Sequence, residues 1–250
     1  MIIKMKILAI DTSTNVASAA VLEDGRLLGE YTVNNKKKTH SQKLMVMIDT
    51  LLKDIDADIQ DIDLFAAAVG PGSFTGLRIG VATIKALAHA CQKPVIGVST
   101  LESLAYNVPF CEHIIVPIMD AGKNRVYAAS YIWDEGFREL GEPEAMTIEE
   151  CVESCGELLD TVFVGDGAIA HAEYIQNQLG ERAFFAPGNA NEQRAASVAC
   201  CAFEKYQRGE TSRFDKINPV YLKKSQAERE LEEREKKLKR GENDDDSIRK

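Results

Sequence analysis

The chain has no apolar run approaching the roughly 20 residues that a membrane-spanning helix needs, so no anchor in a bilayer is expected. Its first apolar segment, Met1 to Ile10, is short, lacks a small-residue cleavage site and runs straight into Asp11, which reads as a strand and not as a secretion signal. Cysteine is present but unpatterned. Cys91, Cys111, Cys151, Cys155, Cys200 and Cys201 fit neither a disulfide framework nor a zinc spacing, and most of them read as small core residues of a protein kept in a reducing cytoplasm. Cys151 and Cys155 lie one helical turn apart, which leaves a paired thiol site open. Histidine is scarce: His40, His89, His113 and His171 have no metal-ligand spacing. There is also no Gly-x-Ser-x-Gly elbow and no His-Glu-x-x-His, and Ser73 and Ser103 lie near no His/Asp pair. Positive charge is outnumbered, with a net charge of -9 and a pI near 5.1, which argues against unaided binding to a phosphate backbone.

What the chain does have is an apolar fraction of 45%, enough for a sizeable core, and one dense stretch from Ala66 to Cys91. Apolar residues run into Gly70-Pro71-Gly72, a turn that a helix cannot cross, and Ser73 stands where an N-cap belongs. The helix is therefore expected to start at about Phe74. Leu77, Val81, Ile84, Leu87 and Ala88 form one apolar stripe, while Gly76, Gly80, Ala82, Ala86 and Ala90 form a small-residue stripe that another backbone can approach. An interior glycine costs a helix roughly 0.5 to 1 kcal/mol relative to alanine, so two in one turn imply close packing that offsets it.

Taken in order, Met5 to Asp11, Val16 to Leu22 and Leu27 to Val33 predict a three-strand meander, its second turn marked by Asp24-Gly25. Lys36-Lys37-Lys38 is a basic loop. Ser41 caps a helix carrying Leu44, Met45, Val46, Met47, Ile48, Leu51, Leu52 and Ile55, apolar over more than one face. Leu64 to Val69 is a strand, Pro94 to Val98 another, and Ser99 to Asn107 a short capped helix. A similar order then begins again. Ile114 to Met119, Val126 to Trp133 and Glu139 to Met146 read as strands, Thr147 to Leu159 as a helix and Val162 to Val164 as a strand. Gly165-Asp166-Gly167 turns into a helix over Ala168 to Leu179, and a last helix spans about Asn191 to Arg208. The duplicated order predicts two α/β lobes of mixed sheets, 1–106 and 107–222, followed by a charged tail, 223–250, of frayed helix and disorder.

Four segments carry a resemblance: Ile10-Asp11-Thr12-Ser13-Thr14, Val69 to Arg78 (VGPGSFTGLR), Ser99 to Ala105 (STLESLA) and Pro219-Val220-Tyr221-Leu222. Together they resemble the bacterial TsaB family, also called YeaZ, over nearly the whole chain to about residue 230. The resemblance implies the two-lobed actin-like ATPase fold, shared with sugar kinases and heat-shock ATPases. It further implies a subunit that dimerises with and activates TsaD, the related transferase that places a threonylcarbamoyl group on the adenosine next to the anticodon of certain tRNAs. The ATPase TsaE is the implied third member of the complex, tRNA is met only through that complex, a homodimer forms when the chain is alone, and no membrane is involved.

Residues test what the resemblance implies. Catalytic relatives carry two histidines one turn apart that can hold a metal ion; here Thr100 and Leu104 stand in their places, and leucine cannot ligate. An Asp-Asn-Gly ligand segment is not visible, with Asn191-Glu192-Gln193-Arg194 in that region. No metal site and no catalytic residue are therefore expected, although Asp120 follows an apolar strand and can reach a cleft. Two degenerate phosphate loops remain: Asp11-Thr12-Ser13, in which Ser13 replaces the usual glycine, and Gly165-Asp166-Gly167, whose Asp166 brings negative charge to a helix N-terminus or simply caps it. No cofactor is expected on the isolated chain, and ATP only in the complex. Partner contact is expected through Leu44, Met45, Met47, Ile48 and Leu51 of one helix and Gly76, Leu77, Gly80, Val81 and Ile84 of the other. A second helical pair would cover this one, in an interface of about 1,200 to 2,000 Å². On this reading Gly80→Leu weakens the dimer. The alternative reading is a free-standing nucleotide-dependent kinase or hydrolase of the same fold, which requires metal-dependent ATP turnover. A peptidase is a third reading, supported only by analogy of fold.

Overall fold

The computed structural model describes residues 4–34, 40–156 and 159–222. The basic loop of Lys36 to Lys38 and the tail from Lys223 lie outside these residues. The first five strands are β1 (Lys6–Asp11), β2 (Val16–Glu23), β3 (Arg26–Asn34), β4 (Leu64–Gly70) and β5 (Val95–Ser99), in the order β3-β2-β1-β4-β5. β1 to β3 form the expected antiparallel meander, while β4 and β5 add in parallel. The second five are β6 (Ile114–Asp120), β7 (Arg125–Trp133), β8 (Phe137–Thr147), β9 (Thr161–Val164) and β10 (Ala183–Phe185), in the order β10-β9-β6-β7-β8. Read from the other edge this is the same topology, so the two lobes are structural repeats.

Alternation along β1 decides the layers. Leu8 and Ile10 point to one face of the first sheet, where they meet α1 (His40–Asp54) and α2 (Phe74–Cys91); Ile7 and Ala9 point to the other. α1 packs Leu44, Ile48, Leu51 and Leu52 into the core. Full burial of such a side chain is worth about 1.5 to 3 kcal/mol, so this stripe alone anchors α1 firmly. Between the sheets lie α3 (Thr100–Ala105) and α7 (Ala195–Gln207). Each sits on the sheet of the other half of the chain: Val198, Ala199, Cys201 and Ala202 of α7 pack on the first sheet, and Leu101, Leu104 and Ala105 of α3 on the second. After α7 the chain stays with the first lobe, with Ile217 in its core. Residues 195–222 thus pack with the first lobe, although the sequence reading placed them in the second.

Three boundaries differ from expectation. α4 (Ile148–Ser154) ends well before Leu159, at Cys155. The helix expected over Ala168 to Leu179 is two, α5 (Asp166–Ala170) and α6 (Ala172–Leu179), broken at His171, whose φ of -111° leaves the helical region. α7 starts at Ala195 because Asn191 to Arg194 are drawn into side-chain bonds with three different segments, the turn after β1, β3 and the turn after β9.

Candidate functional site

The turn after β1 and the glycine stretch before α2 form one unit. The Ser73 amide donates to the Ser13 carbonyl at 2.6 Å, and the Thr12 hydroxyl to the Gly76 carbonyl at 2.8 Å. The backbone lies so close that a Cβ on Gly76 would stand 2.0 Å from the Thr12 carbonyl oxygen, and one on Gly80 2.4 Å from the Thr12 hydroxyl. These two glycines therefore serve the chain's own β1 turn and are buried. They do not form an outward stripe with Ala82, Ala86 and Ala90, which are exposed.

Asp11, Thr12 and Ser13 are all buried. The Ser13 amide and hydroxyl both donate to Asp11 Oδ1, at 2.8 and 2.6 Å. In the second lobe the Gly165 amide donates to Asn191 Oδ1 at 2.8 Å. Gly165 and Gly167 are pressed onto β6, where a Cβ would meet the Ile118 carbonyl oxygen at 2.4 Å and the Met119 carbonyl carbon at 2.9 Å respectively. Asp166 Oδ1 accepts from the Asp120 amide at 3.1 Å. Its carboxyl is held above the usual carboxylate range, chiefly by desolvation and further by the charge of Asp120, against the lowering effect of backbone amides.

The two turns face each other across a cleft of about 310 Å³, lined by Ser13, Thr14, Ser73, Asp120, Tyr127 and Asp166 among others, with no lysine or arginine among its described lining residues. The structure thus brings the first loop and Asp166 to one cleft. Asp120, named above only as a strand-end carboxylate able to reach a cleft, lies in this one, and Tyr127, which sequence reasoning did not name, joins it. The signal was there in the repeat: β6 ends in Asp120 where its counterpart β1 ends in Asp11. Thr100 and Leu104, at the positions of the absent histidines, are fully buried. Among the described residues no cluster of three His, Cys, Asp or Glu is arranged to hold a metal ion.

A second surface is the outer side of α1 and α2. Of the residues expected to meet a partner, Leu44, Met47, Ile48 and Leu51 of α1 and Leu77, Val81 and Ile84 of α2 are buried within the lobe. This corrects the sequence reading: the large apolar residues face the sheet because β1, β2 and β4 present apolar side chains there. Met45 remains, 49% exposed, joined by Val46 at 63% and by Ala82, Ala86 and Ala90 of α2. The last described segment runs back along α2. Phe214 stacks on His89 at 4.4 Å, Asn218 accepts from Lys85 at 3.0 Å, and Tyr221 stacks on Phe74 at 4.6 Å while its hydroxyl accepts from Arg78 at 3.1 Å.

Comparison with known proteins places this geometry. The family model for TsaD, tRNA N6-adenosine threonylcarbamoyltransferase, matches residues 26–231. The tRNA threonylcarbamoyladenosine biosynthesis protein TsaB of Bacillus subtilis is 33% identical over 90% of this chain and 96% of its own. YeaZ from Pseudomonas aeruginosa superposes with a TM-score of 0.75 at 27% identity, covering 87% of this chain and all of that one. At 11% identity, component A of (R)-2-hydroxyglutaryl-CoA dehydratase from Acidaminococcus fermentans has a TM-score of 0.50, a likeness of fold alone. The fold is the two-lobed actin-like ATPase architecture, and end-to-end correspondence with TsaB and YeaZ decides the branch: the chain belongs to the TsaB family.

Proposed function

We propose that this chain acts in the formation of threonylcarbamoyladenosine in tRNA as a non-catalytic subunit, docking on the transferase TsaD through the outer face of α1 and α2 and raising its activity. The observation that carries the reading is the exposed strip of Met45, Val46, Ala82 and Ala86 on two adjacent helices. Small and flexible apolar side chains on paired helices suit a second helical pair. The relatives support the pathway through their names, and the match to the TsaD model supports a partner built like this chain. Alone, the same strip pairs two copies of the chain, and self-association competes with docking on TsaD. The ATPase TsaE joins the assembly, and tRNA is met only there.

The cleft supports the absence of catalysis by this subunit. A nucleotide is implied by the fold, but the residues present do not fit its phosphates. The loop amides of Ser13 and Gly165 are consumed by Asp11 and Asn191, and the lining carries carboxylates without a cation. Calorimetric titration of the isolated chain with ATP and magnesium is expected to give no micromolar binding. Metal-dependent ATP turnover by the pure chain would overturn this reading in favour of a kinase or hydrolase. Among the described residues no helix is long and apolar enough to cross a membrane, in keeping with work on tRNA in the cytoplasm.

A further inference from the structure

The two sheets repeat each other strand for strand, yet their outer faces are covered unequally. Over the first sheet α1 runs for 15 residues and packs on β2 and β3. Its counterpart over the second sheet, α4, has seven residues. Each third strand carries one glycine beside a register shift, Gly29 in β3 and Gly141 in β8. At Gly29 a Cβ would stand 2.8 Å from Leu51 of α1 and 3.3 Å from Ile55, which follows that helix. At Gly141 a Cβ would meet nothing nearer than Ser130 of the adjacent strand, at 3.8 Å. Among the described residues, the second lobe is therefore open at the place where α1 presses on the first.

The opening is a groove of about 320 Å³. Alternation along β8 turns Leu140, Glu142, Glu144 and Met146 toward it, over a floor that includes Val116 and Ala128. Its surroundings are acidic. Residues 137–154, which hold β8 and α4, carry six glutamates and one arginine, and that Arg138 is paired with Asp134. Glu139 turns to the other face of the sheet, where the Tyr131 hydroxyl donates to it at 3.3 Å. Two arginines of neighbouring elements, Arg125 and Arg182, donate to the carbonyls of Ala145 and Gly156, each at 2.8 Å. Glu142 and Glu144 are exposed, and the described lining of the groove holds no lysine or arginine. An apolar floor beneath two carboxylates suits a helix with an apolar stripe flanked by cations. We propose that this groove docks a basic amphipathic helix of a partner protein, seated over β7 and β8 as α1 is seated over β2 and β3. An apolar side chain of that helix would rest beside Gly141, with lysine or arginine opposite Glu142 and Glu144. The groove lies on the outer side of the second sheet, whereas α1 and α2 lie on the outer side of the first. Its occupation is therefore independent of the docking role proposed above.

The test is fluorescence anisotropy of a labelled 15-residue peptide with the sequence of residues 40–54, carrying Asp49→Lys and Asp54→Lys, titrated with the full chain. Saturable binding is expected. It should weaken at least about tenfold with Gly141→Phe, which fills the groove, and equally with Glu142→Lys/Glu144→Lys, whose exposed positions leave the fold intact by circular dichroism. Val46→Asp, on the opposite side of the molecule, should bind the peptide as the parent does. Absence of saturable binding overturns the proposal, and so does equal binding of a peptide carrying Lys43→Glu and Lys53→Glu instead. Undiminished binding of the peptide with Ile48→Pro, which cannot form the helix, would assign the site to an extended strand on the edge of β8. Loss of self-association in sedimentation on Gly141→Phe would assign it to a second copy of the chain. Either of these results also overturns the proposal.

Discussion

Gly76 is the residue on which the signature stretch turns. Its missing side chain lets the Thr12 carbonyl lie where a Cβ would be, so Gly76→Ala must push apart the β1 turn and α2. The expected loss is about 1 to 3 kcal/mol of unfolding free energy, measured in urea, with partner affinity of the folded fraction unchanged. A stable Gly76→Ala with weakened association would return this glycine to the interface. The buried thiols give a second residue-scale prediction. Burial pushes Cys151 up to about 12, with the neighbouring Cys155 adding to it, and pushes Cys155 up to about 11. The unfolded chain releases these protons near pH 9 while the folded chain keeps them. Stability is therefore fully present below pH 9 and falls between pH 9 and 11, by up to about 1.4 kcal/mol per pH unit for each thiol. Urea unfolding of Cys151→Ala/Cys155→Ala across that range should show a shallower decline, and an identical slope would refute the assignment. The glycines were legible in the sequence as close-packing positions, but what they pack against was not. Periodicity places Gly80 on a helix face, and only the fold shows that Thr12 lies on that face.

At the level of elements, the sequence carried the strand order, the start of α2 at Phe74 and the repeat, because strand alternation, Ser73 and Asp24-Gly25 are local signals. It could not carry the division of α1 into inner and outer faces. Leu44, Met45, Val46, Met47 and Ile48 are all apolar, and which of them turn inward depends on where the sheet lies. The start of the last helix was misjudged for the same reason: Asn191 to Arg194 is drawn away from helix by bonds to three distant segments. The exposed positions now give a sharper test than the buried ones. Val46→Asp adds a charge at a site 63% exposed, so stability should stay within about 0.5 kcal/mol of the parent. Its affinity for TsaD should fall at least about tenfold, since a charge buried in an apolar interface goes unpaired. Unchanged binding in sedimentation equilibrium would remove α1 from the interface.

Across the whole molecule, the two lobes are held by their exchanged helices and by side chains between the crossing segments, among them Tyr106 with Glu204, Lys205 with Glu102, and Asn107. Asn107 donates to the carbonyls of Ala190 and Glu192, at 2.8 and 2.9 Å, and accepts from the Ser197 hydroxyl. Asn107→Ala should cost about 1 to 3 kcal/mol and raise amide exchange in residues 188–197 before the rest of the chain; protection unchanged there would show that Asn107 takes no part in holding the lobes. The cleft between the lobes has its Ser13 and Gly165 amides already bonded to Asp11 and Asn191, and the proposed role as a subunit that presents a surface rests on that. The measurement that tests this most directly is reconstituted threonylcarbamoylation of tRNA by TsaD from the same organism, with ATP and TsaE supplied, run without this chain, with it, and with its Val46→Asp variant. The account predicts that the parent chain raises the rate and that Val46→Asp does not. Equal rates in all three reactions, or full stimulation by Val46→Asp, would contradict it.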